Sequence, residues 1–342
     1  MESHAKRQRS LVDGLTDWTT IFDEERPHLG NSSSLKGIVV EVFKKGGFSV
    51  SSPQKLENCI KYIEMGYIET PYHNFSHATH VFLNSFLLLN SARIEFTEVE
   101  RAAMLYSAII HDYGHEGVTN MQLVKENHHL SQKYKKVSPA ENYSIDAGLE
   151  LLDKEELNFF GDFSLEEMVR FKDLVKQIVL ATDIGNRDRV QKIYGDVKAA
   201  VKTYRGDRDD EGDDELKVDD KKEENRVLML CLIMKISDVG AQFQHGRTSK
   251  HWIRNFYLEN QAAYISGRGP AIIADSFSED QKKFFTLYIS HLLDVMASSG
   301  LLAKSLVDTL RGNLEKLKEG WEKWSAAALR EWAEEAKELR VN

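Results

Sequence analysis

Ala102-Ala103-Met104-Leu105-Tyr106-Ser107-Ala108-Ile109-Ile110-His111-Asp112-Tyr113-Gly114-His115 joins an uncharged apolar run directly to an imidazole, a carboxylate and a second imidazole. The run holds neither Gly nor Pro and reads as a buried helix. A buried carboxylate or imidazole costs several kcal/mol unless it finds a partner. The same ending recurs along the chain. Val227-Leu228-Met229-Leu230-Cys231-Leu232-Ile233-Met234 leads to Ser237-Asp238. Tyr72-His73-Asn74-Phe75-Ser76-His77 opens an apolar stripe through Val81, Phe82 and Leu88, and Thr182-Asp183 forms a fourth such element. A metal cluster is one partner able to serve all of these together.

The rest of the chain shares this character. It has 342 residues and only 5 prolines, with long stretches of helical periodicity. An all-α fold follows, a compact multi-helix unit. An apolar fraction of 42% is ordinary for a globular protein. A net charge of −9 excludes a surface that wraps nucleic acid, which needs a basic stripe. No run approaches the roughly 20 apolar residues of a membrane span, and no apolar stretch follows the basic N-terminus as in a signal peptide. Of the two cysteines, Cys59 and Cys231, the second lies in an apolar run and reads as a small buried hydrophobe. A reducing, cytoplasmic setting fits this usage.

Three stretches divide the chain: a helical lead-in over 1–50, a site-bearing domain over 51–305, and an amphipathic helix over 306–342 in the same compact unit. Within the first, residues 31–52 are richer in Ser and Gly and read as loop around a short helix. Gly206–Glu224 holds 11 acidic against 4 basic residues and reads as a solvated, mobile loop. Its aspartates lack the spacing of a calcium loop. Ser266-Gly267-Arg268-Gly269-Pro270, continuing to about Glu279, is a lid or a connector. In the tail, Leu310, Leu314, Leu317, Trp321, Trp324 and Ala328 follow heptad spacing, which suits packing on the chain's own core or a dimer contact.

The chemistry lies in the histidines. His77 stands one turn before Val81 and faces the core; alone it would read as a hydrogen-bonded core histidine. Side chains of His111 and Asp112 diverge by about 100° on a helix. Both bind metal if two ions sit side by side, or if Asp112 bridges. His115 shares the face of His111. Imidazole with carboxylate suits Zn, Mn or Fe, and Mg at an oxygen-rich position.

At these motifs the chain resembles the class I 3′,5′-cyclic nucleotide phosphodiesterases, a branch of the HD-domain metallohydrolases. Tyr72-His73-Asn74 matches the family's Tyr-His-Asn. His111-Asp112, His115, Gly117 and Asn120 match its longer His-Asp motif, and Leu180-Ala181-Thr182-Asp183 its Leu-Ala-Thr-Asp. Asp238 falls at its last metal aspartate. The order and spacings of all four agree over residues 55–300.

The resemblance implies a two-metal phosphodiesterase. His77, His111, Asp112 and Asp238 would hold a tight ion, usually Zn2+. Asp112 would bridge to a second, Mg2+ or Mn2+, whose waters His115, Glu141, Thr182 and Asp183 would hold. Two such ions lower the pKa of a shared water, which attacks phosphorus in line, and His73 would protonate the leaving 3′ oxygen. The substrates implied are cAMP and cGMP, with cGMP favoured, giving 5′-nucleoside monophosphates. Tyr72, Gln281 and Phe284 would contact the substrate, the glutamine hydrogen-bonding the base and the phenylalanine clamping it. A homodimer, and fusion to a regulatory domain such as a membrane rhodopsin, are further expectations.

Two departures stand out. Glu126-Asn127-His128-His129 spells a family motif out of position; ungapped counting from His111 selects Glu141 instead and leaves His128 and His129 on the surface. Ala241 and Gln242 replace the family's Asn and Pro, which removes a polar group that touches the base in many members. Trp252 matches a family tryptophan or is core packing. Competing readings are another HD-type nucleotide phosphohydrolase and a non-catalytic cyclic-nucleotide sensor. The Tyr-His-Asn and Leu-Ala-Thr-Asp elements weigh against the first, and the complete metal set with its acid weighs against the second.

Overall fold

A computed structural model describes residues 32–206, 216–244 and 246–339. The chain runs α1 (Ser32–Lys44), α2 (Pro53–Gly66), α3 (Phe75–Ser91), α4 (Glu98–Ile110), α5 (Asn120–Lys125), α6 (His129–Lys133) and α7 (Pro139–Leu152). There follow α8 (Leu165–Leu180), α9 (Arg187–Gly206), α10 (Glu223–Asp238), a 3-10 turn (Gly240–Phe243), α11 (Gly246–Ile265) and α12 (Ala274–Lys283). A π-helical stretch (Phe284–Ile289) joins α12 to α13 (Ser290–Ser299), and α14 (Lys304–Ala336) ends the described chain. No strand occurs among the described residues, only an isolated bridge between Ala92 and Leu302.

Local sequence explains where these helices start. Ser52, Asn74, Thr97 and Ser164 each accept a hydrogen bond from an N–H of the first turn. Thr97 with Glu100 and Ser164 with Glu167 complete reciprocal capping boxes. α3, α4, α8 and α10 pack on one another and form the centre of the fold. α3 and α4 are buried along nearly their whole lengths, as their apolar runs require.

Packing of these four aims their ends at one place. The C-terminal ends of α4, α8 and α10 deliver His111-Asp112, Thr182-Asp183 and Asp238, and the first turn of α3 delivers His77. Helix C-termini carry partial negative charge. Three of them meeting beside carboxylates make a place that favours cations.

α14 resolves the question of the tail seam. Leu310, Leu314, Leu317, Trp321 and Ala328 are buried in the main core, with Trp324 partly buried against it. The helix lies on α11, α12 and α13, and the Trp321 indole donates to the Ser278 hydroxyl at 3.1 Å.

His115 does not share a helical face with His111, because α4 ends at Ile110 and the chain turns at Gly114, where φ is +71°. Three further sequence expectations need adjusting. Within 31–52, α1 is a full 13-residue helix and not a short one, because Leu35, Ile38, Val39, Val42 and Phe43 form a buried face. In the acidic segment, 207–215 lies outside the described residues, but the part after it is anchored. Val218 is buried, Leu216 packs on the core, and the Lys217 N–H donates to the Ser299 carbonyl. Two apolar residues among many charges suffice to tie it down. The loop expected to reach Glu279 stops at Ile273, where α12 begins, because Phe277 supplies a core contact. The helical lead-in over 1–30 lies outside the described residues.

Candidate active site

His77 and His111, both 1% exposed, face Asp112 and Asp238 across a small polar centre. The His77 Nε2 lies 3.5 Å from Asp112 Oδ2 and 3.2 Å from Asp238 Oδ1. The His111 Nε2 lies 2.9 Å and 3.4 Å from the same two oxygens. Yet His111 Nε2 and Asp112 Oδ2 are buried and make no aligned hydrogen bond to any neighbour. Buried polar atoms normally have partners. His77 Nε2 does bond Asp238 Oδ1, but the two orphaned atoms beside them suit a shared guest, and His, His and carboxylate are the donors a zinc-like cation takes. The His111 Nδ1 donates to the Ala108 carbonyl at 2.9 Å, which fixes the ring with its Nε2 toward the centre. Burial opposes ionisation of Asp112 and Asp238. The histidines opposite outweigh it and hold both carboxyls below the ordinary carboxylate range.

A second group adjoins the first. Donor atoms of His73, Asp112 and His115 fall within 4.8 Å of one another. The His73 Nδ1 pairs with Glu259 on α11. The same carboxylate accepts the backbone N–H groups of Tyr72 and His73, each at 2.9 Å. Burial opposes a charge on His73, but Glu259, with Asp112 beyond, lifts the imidazole to about 9. Burial likewise opposes charge on Glu259, and His73 brings it down to about 2. His115 lies against His73, ring centres 3.9 Å apart. Burial and the His73 charge push it down to about 4, so it is neutral. Its Nδ1 accepts from the Gly117 N–H at 3.1 Å, leaving the proton on Nε2.

Glu259, the partner of His73, is the site residue the sequence reading missed. Its signal was a carboxylate one position beyond the buried Tyr257 and Leu258, a charge where the helix face is core.

Glu141, in the first turn of α7, accepts from the Asn120 amide at 2.8 Å. Burial and the nearby Asp183 raise its carboxyl to about 7. Asp183 is engaged by its own turn. One oxygen accepts from the N–H groups of Gly185 and Asn186, the other from the Ser138 hydroxyl at 2.6 Å. The Thr182 hydroxyl donates to the Val179 carbonyl at 2.8 Å, so its oxygen can still accept. The Glu126–His129 motif stands apart. Glu126 pairs with Arg268 at 2.8 Å, His128 faces Glu116 at 3.4 Å, and His129 is exposed. Arg268 also reaches Glu116 at 2.7 Å, which ties the Gly/Pro loop to the segment after His115.

Gln281 is buried at the end of α12, and Phe284 opens the π-helical stretch one turn later. The Phe284 ring stacks on Tyr288 with centres 5.3 Å apart. π-helical turns cost regular hydrogen bonding and recur at functional sites. Tyr72 packs among His73, His77, Trp252 and Phe256, and Trp252 is buried. Ala241 is buried too, and the Gln242 side-chain oxygen is buried without a hydrogen-bond partner. Lys235 is almost fully enclosed. Its ammonium donates to the Ala181 carbonyl at 2.7 Å, and burial pushes it down to about 8.

Comparison with known proteins gives this geometry a setting. The sequence model of the 3′,5′-cyclic nucleotide phosphodiesterase family matches residues 72–292. The mouse 3′,5′-cyclic-AMP phosphodiesterase 4C is 31% identical over 137 residues, 40% of this chain and 20% of that protein. The cGMP-specific 3′,5′-cyclic phosphodiesterase gamma of Plasmodium yoelii is 26% identical over 249 residues, 71% of this chain and 30% of that protein. The chain thus spans under a third of these relatives. Among solved structures, the phosphodiesterase domain of the RhoPDE fusion protein from the choanoflagellate Salpingoeca rosetta superposes with a TM-score of 0.76 at 20% identity. It covers 92% of this chain and 99% of that one.

Proposed function

The chain belongs to the 3′,5′-cyclic nucleotide phosphodiesterase family, and from that premise we propose that it hydrolyses cAMP and cGMP, cGMP favoured, to 5′-nucleoside monophosphates. The observation that carries the reading is the convergence of His77, His111, Asp112 and Asp238 around buried atoms with no bonded partner. These four would hold a Zn2+ ion. Asp112 would be shared with Mg2+ or Mn2+, and His115, Glu141, Thr182 and Asp183 would act through that ion's waters. Bound there, the two cations would supply an ionised water and neutralise the phosphate charge.

The chain's own residues do the rest. His73, held protonated by Glu259, gives its proton to the 3′ oxygen as the ring opens. Proton donation of this kind contributes about 10²–10⁴ in rate. Neutral His115 presents an N–H beside it without competing for the proton. Gln281 hydrogen-bonds the purine, and its amide can offer either edge, which admits both bases. Phe284 stacks on the base, and Tyr72 braces the histidines at the pocket floor. The relatives' length and the fusion named for the solved neighbour support attachment to a regulatory domain, membrane-bound or not, with this unit facing the cytoplasm. No helix of the described residues is long and apolar enough to cross a membrane. A homodimer completes the proposal.

Chromatographic turnover of cAMP and cGMP with Mg2+ tests it, on the parent, His73→Ala and Asp238→Ala. We expect loss of 5′-nucleotide in both variants, with metal content lost only in Asp238→Ala. A folded, metal-loaded parent that turns over neither nucleotide would sink the proposal.

A further inference from the structure

One face of α3 carries three polar side chains, His77, His80 and Asn84, at spacings of three and four. His77 belongs to the cage described above. His80 and Asn84 have no part in that chemistry, yet they are 8% and 2% exposed. Gln244, 4% exposed, links them. The His80 Nε2 lies 2.8 Å from Gln244 Oε1. The Gln244 amide nitrogen donates to Asn84 Oδ1 at 3.0 Å, and the Asn84 amide nitrogen donates to the Ser237 carbonyl at 3.1 Å.

The direction of this chain of bonds is forced. The Ser237 carbonyl only accepts, so Asn84 gives it the nitrogen and turns its oxygen to Gln244. Gln244 must then present its own nitrogen to Asn84 and its oxygen to His80, and His80 must carry its hydrogen on Nε2. The end of the chain matters. Ser237 immediately precedes Asp238 at the C-terminus of α10, where helix carbonyls lack partners within the helix. The turn beyond is packed just as closely. A Cβ on Gly240 would lie 2.2 Å from the Asn84 nitrogen, and the Ser249 hydroxyl donates to the Ala241 carbonyl at 2.6 Å. The His80 ring stacks on Trp252, and the same indole meets the ring of His77; both pairs of centres are 5.5 Å apart.

Resting on the metal reading above, we propose that His80, Gln244 and Asn84 form a positioning relay that aims Asp238 at the ion held by His77 and His111. Fully satisfied buried networks rigidify what they hold, and half-satisfied ones do not. Outer partners of metal ligands typically carry about 10–100-fold in metal affinity. The near-isosteric change Asn84→Asp breaks the relay at its key bond, because a carboxylate cannot donate to Ser237. Its added negative charge would by itself favour a cation, so weaker binding reports lost direction and not lost charge.

The test is Zn2+ affinity, read by competition with a chromogenic chelator on metal-stripped protein, alongside thermal melting of the same stripped samples. Parent, Asn84→Asp, His80→Leu and His80→Gln are compared. We expect Asn84→Asp and His80→Leu to bind Zn2+ about 10–100-fold more weakly. His80→Gln, which keeps an N–H for Gln244, should stay close to the parent. Parent-like affinity in both broken variants overturns the relay. So does a loss shared equally by His80→Gln, or one that tracks lowered melting of the stripped protein, since either marks a merely structural role. If Asn84→Asp does not fold, the two His80 variants decide. A parent that binds no Zn2+ overturns the metal reading and the relay together; a parent that binds while every variant matches it overturns the relay alone.

Discussion

At the scale of single residues, the pair His73–Glu259 sets a testable pH dependence. A general acid works only while protonated. Glu259 keeps His73 charged up to about 9, so the alkaline limb of kcat should fall there. Glu259→Gln removes the largest favourable influence on that charge. The limb should then move down by about one unit or more, toward the ordinary imidazole value near 6.5; an unmoved limb would show that Glu259 does not tune the acid. Stability follows with a definite sign. The folded pKa of His73 lies above its unfolded value, so its contribution is complete below about 6.5 and is lost as pH rises through 9. Glu259 is depressed, so its contribution is complete above about 4.5 and is lost as pH falls toward 2. Denaturant titrations of Glu259→Gln should therefore show their largest deficit between those limits. The convergence of His77, His111, Asp112 and Asp238 was legible in the sequence because each member terminates or opens an apolar run, where a charge is conspicuous. Glu259 was less so, because its partner is distant in sequence and α11 mixes polar and apolar residues. Asn84 was hidden inside an apolar helix, where one amide reads as tolerated noise until its acceptor is known.

At the scale of elements, α14 behaves as a clasp across α11, α12 and α13. Trp321 is fully buried at its middle. Trp321→Ala should cost about 3–5 kcal/mol by chemical denaturation with the denaturant slope unchanged. A cost below about 1 kcal/mol would mean that the helix is not part of the cooperative unit. Gly240 offers a sharper probe of the turn after α10. Gly240→Ala must displace Asn84, so Zn2+ affinity should fall by more than the accompanying drop in metal-free melting temperature accounts for. The helices themselves were readable from periodicity and caps, as the box of Thr97 with Glu100 shows. What periodicity hid was the length of α1 and the tethering of the acidic segment. In both, a few apolar residues outweigh a polar local composition once a core lies within reach. The heptad seam of α14 was equally visible, but spacing alone does not say which surface fills it.

At the scale of the whole molecule, three helix ends and a cluster of carboxylates are aimed at one small volume. A cation held there adds its binding free energy to the folded state, so metal removal should destabilise the fold as well as abolish activity. A ligand present at 100 times its Kd adds about 2.7 kcal/mol. Chelator-treated protein should therefore melt several degrees lower and recover on adding Zn2+ with Mg2+. An unchanged melting temperature would separate the site from the fold. The convergence of α4, α8 and α10 has a consequence for biogenesis. Their ends come from positions 110, 180 and 238 of the chain, so the last piece of the cage is translated long after the first. On the proposed metal reading, maturation would be a late keystone event, and in a metal-starved cell the shortage would surface first as nascent protein lost to quality control, before any slowing of turnover.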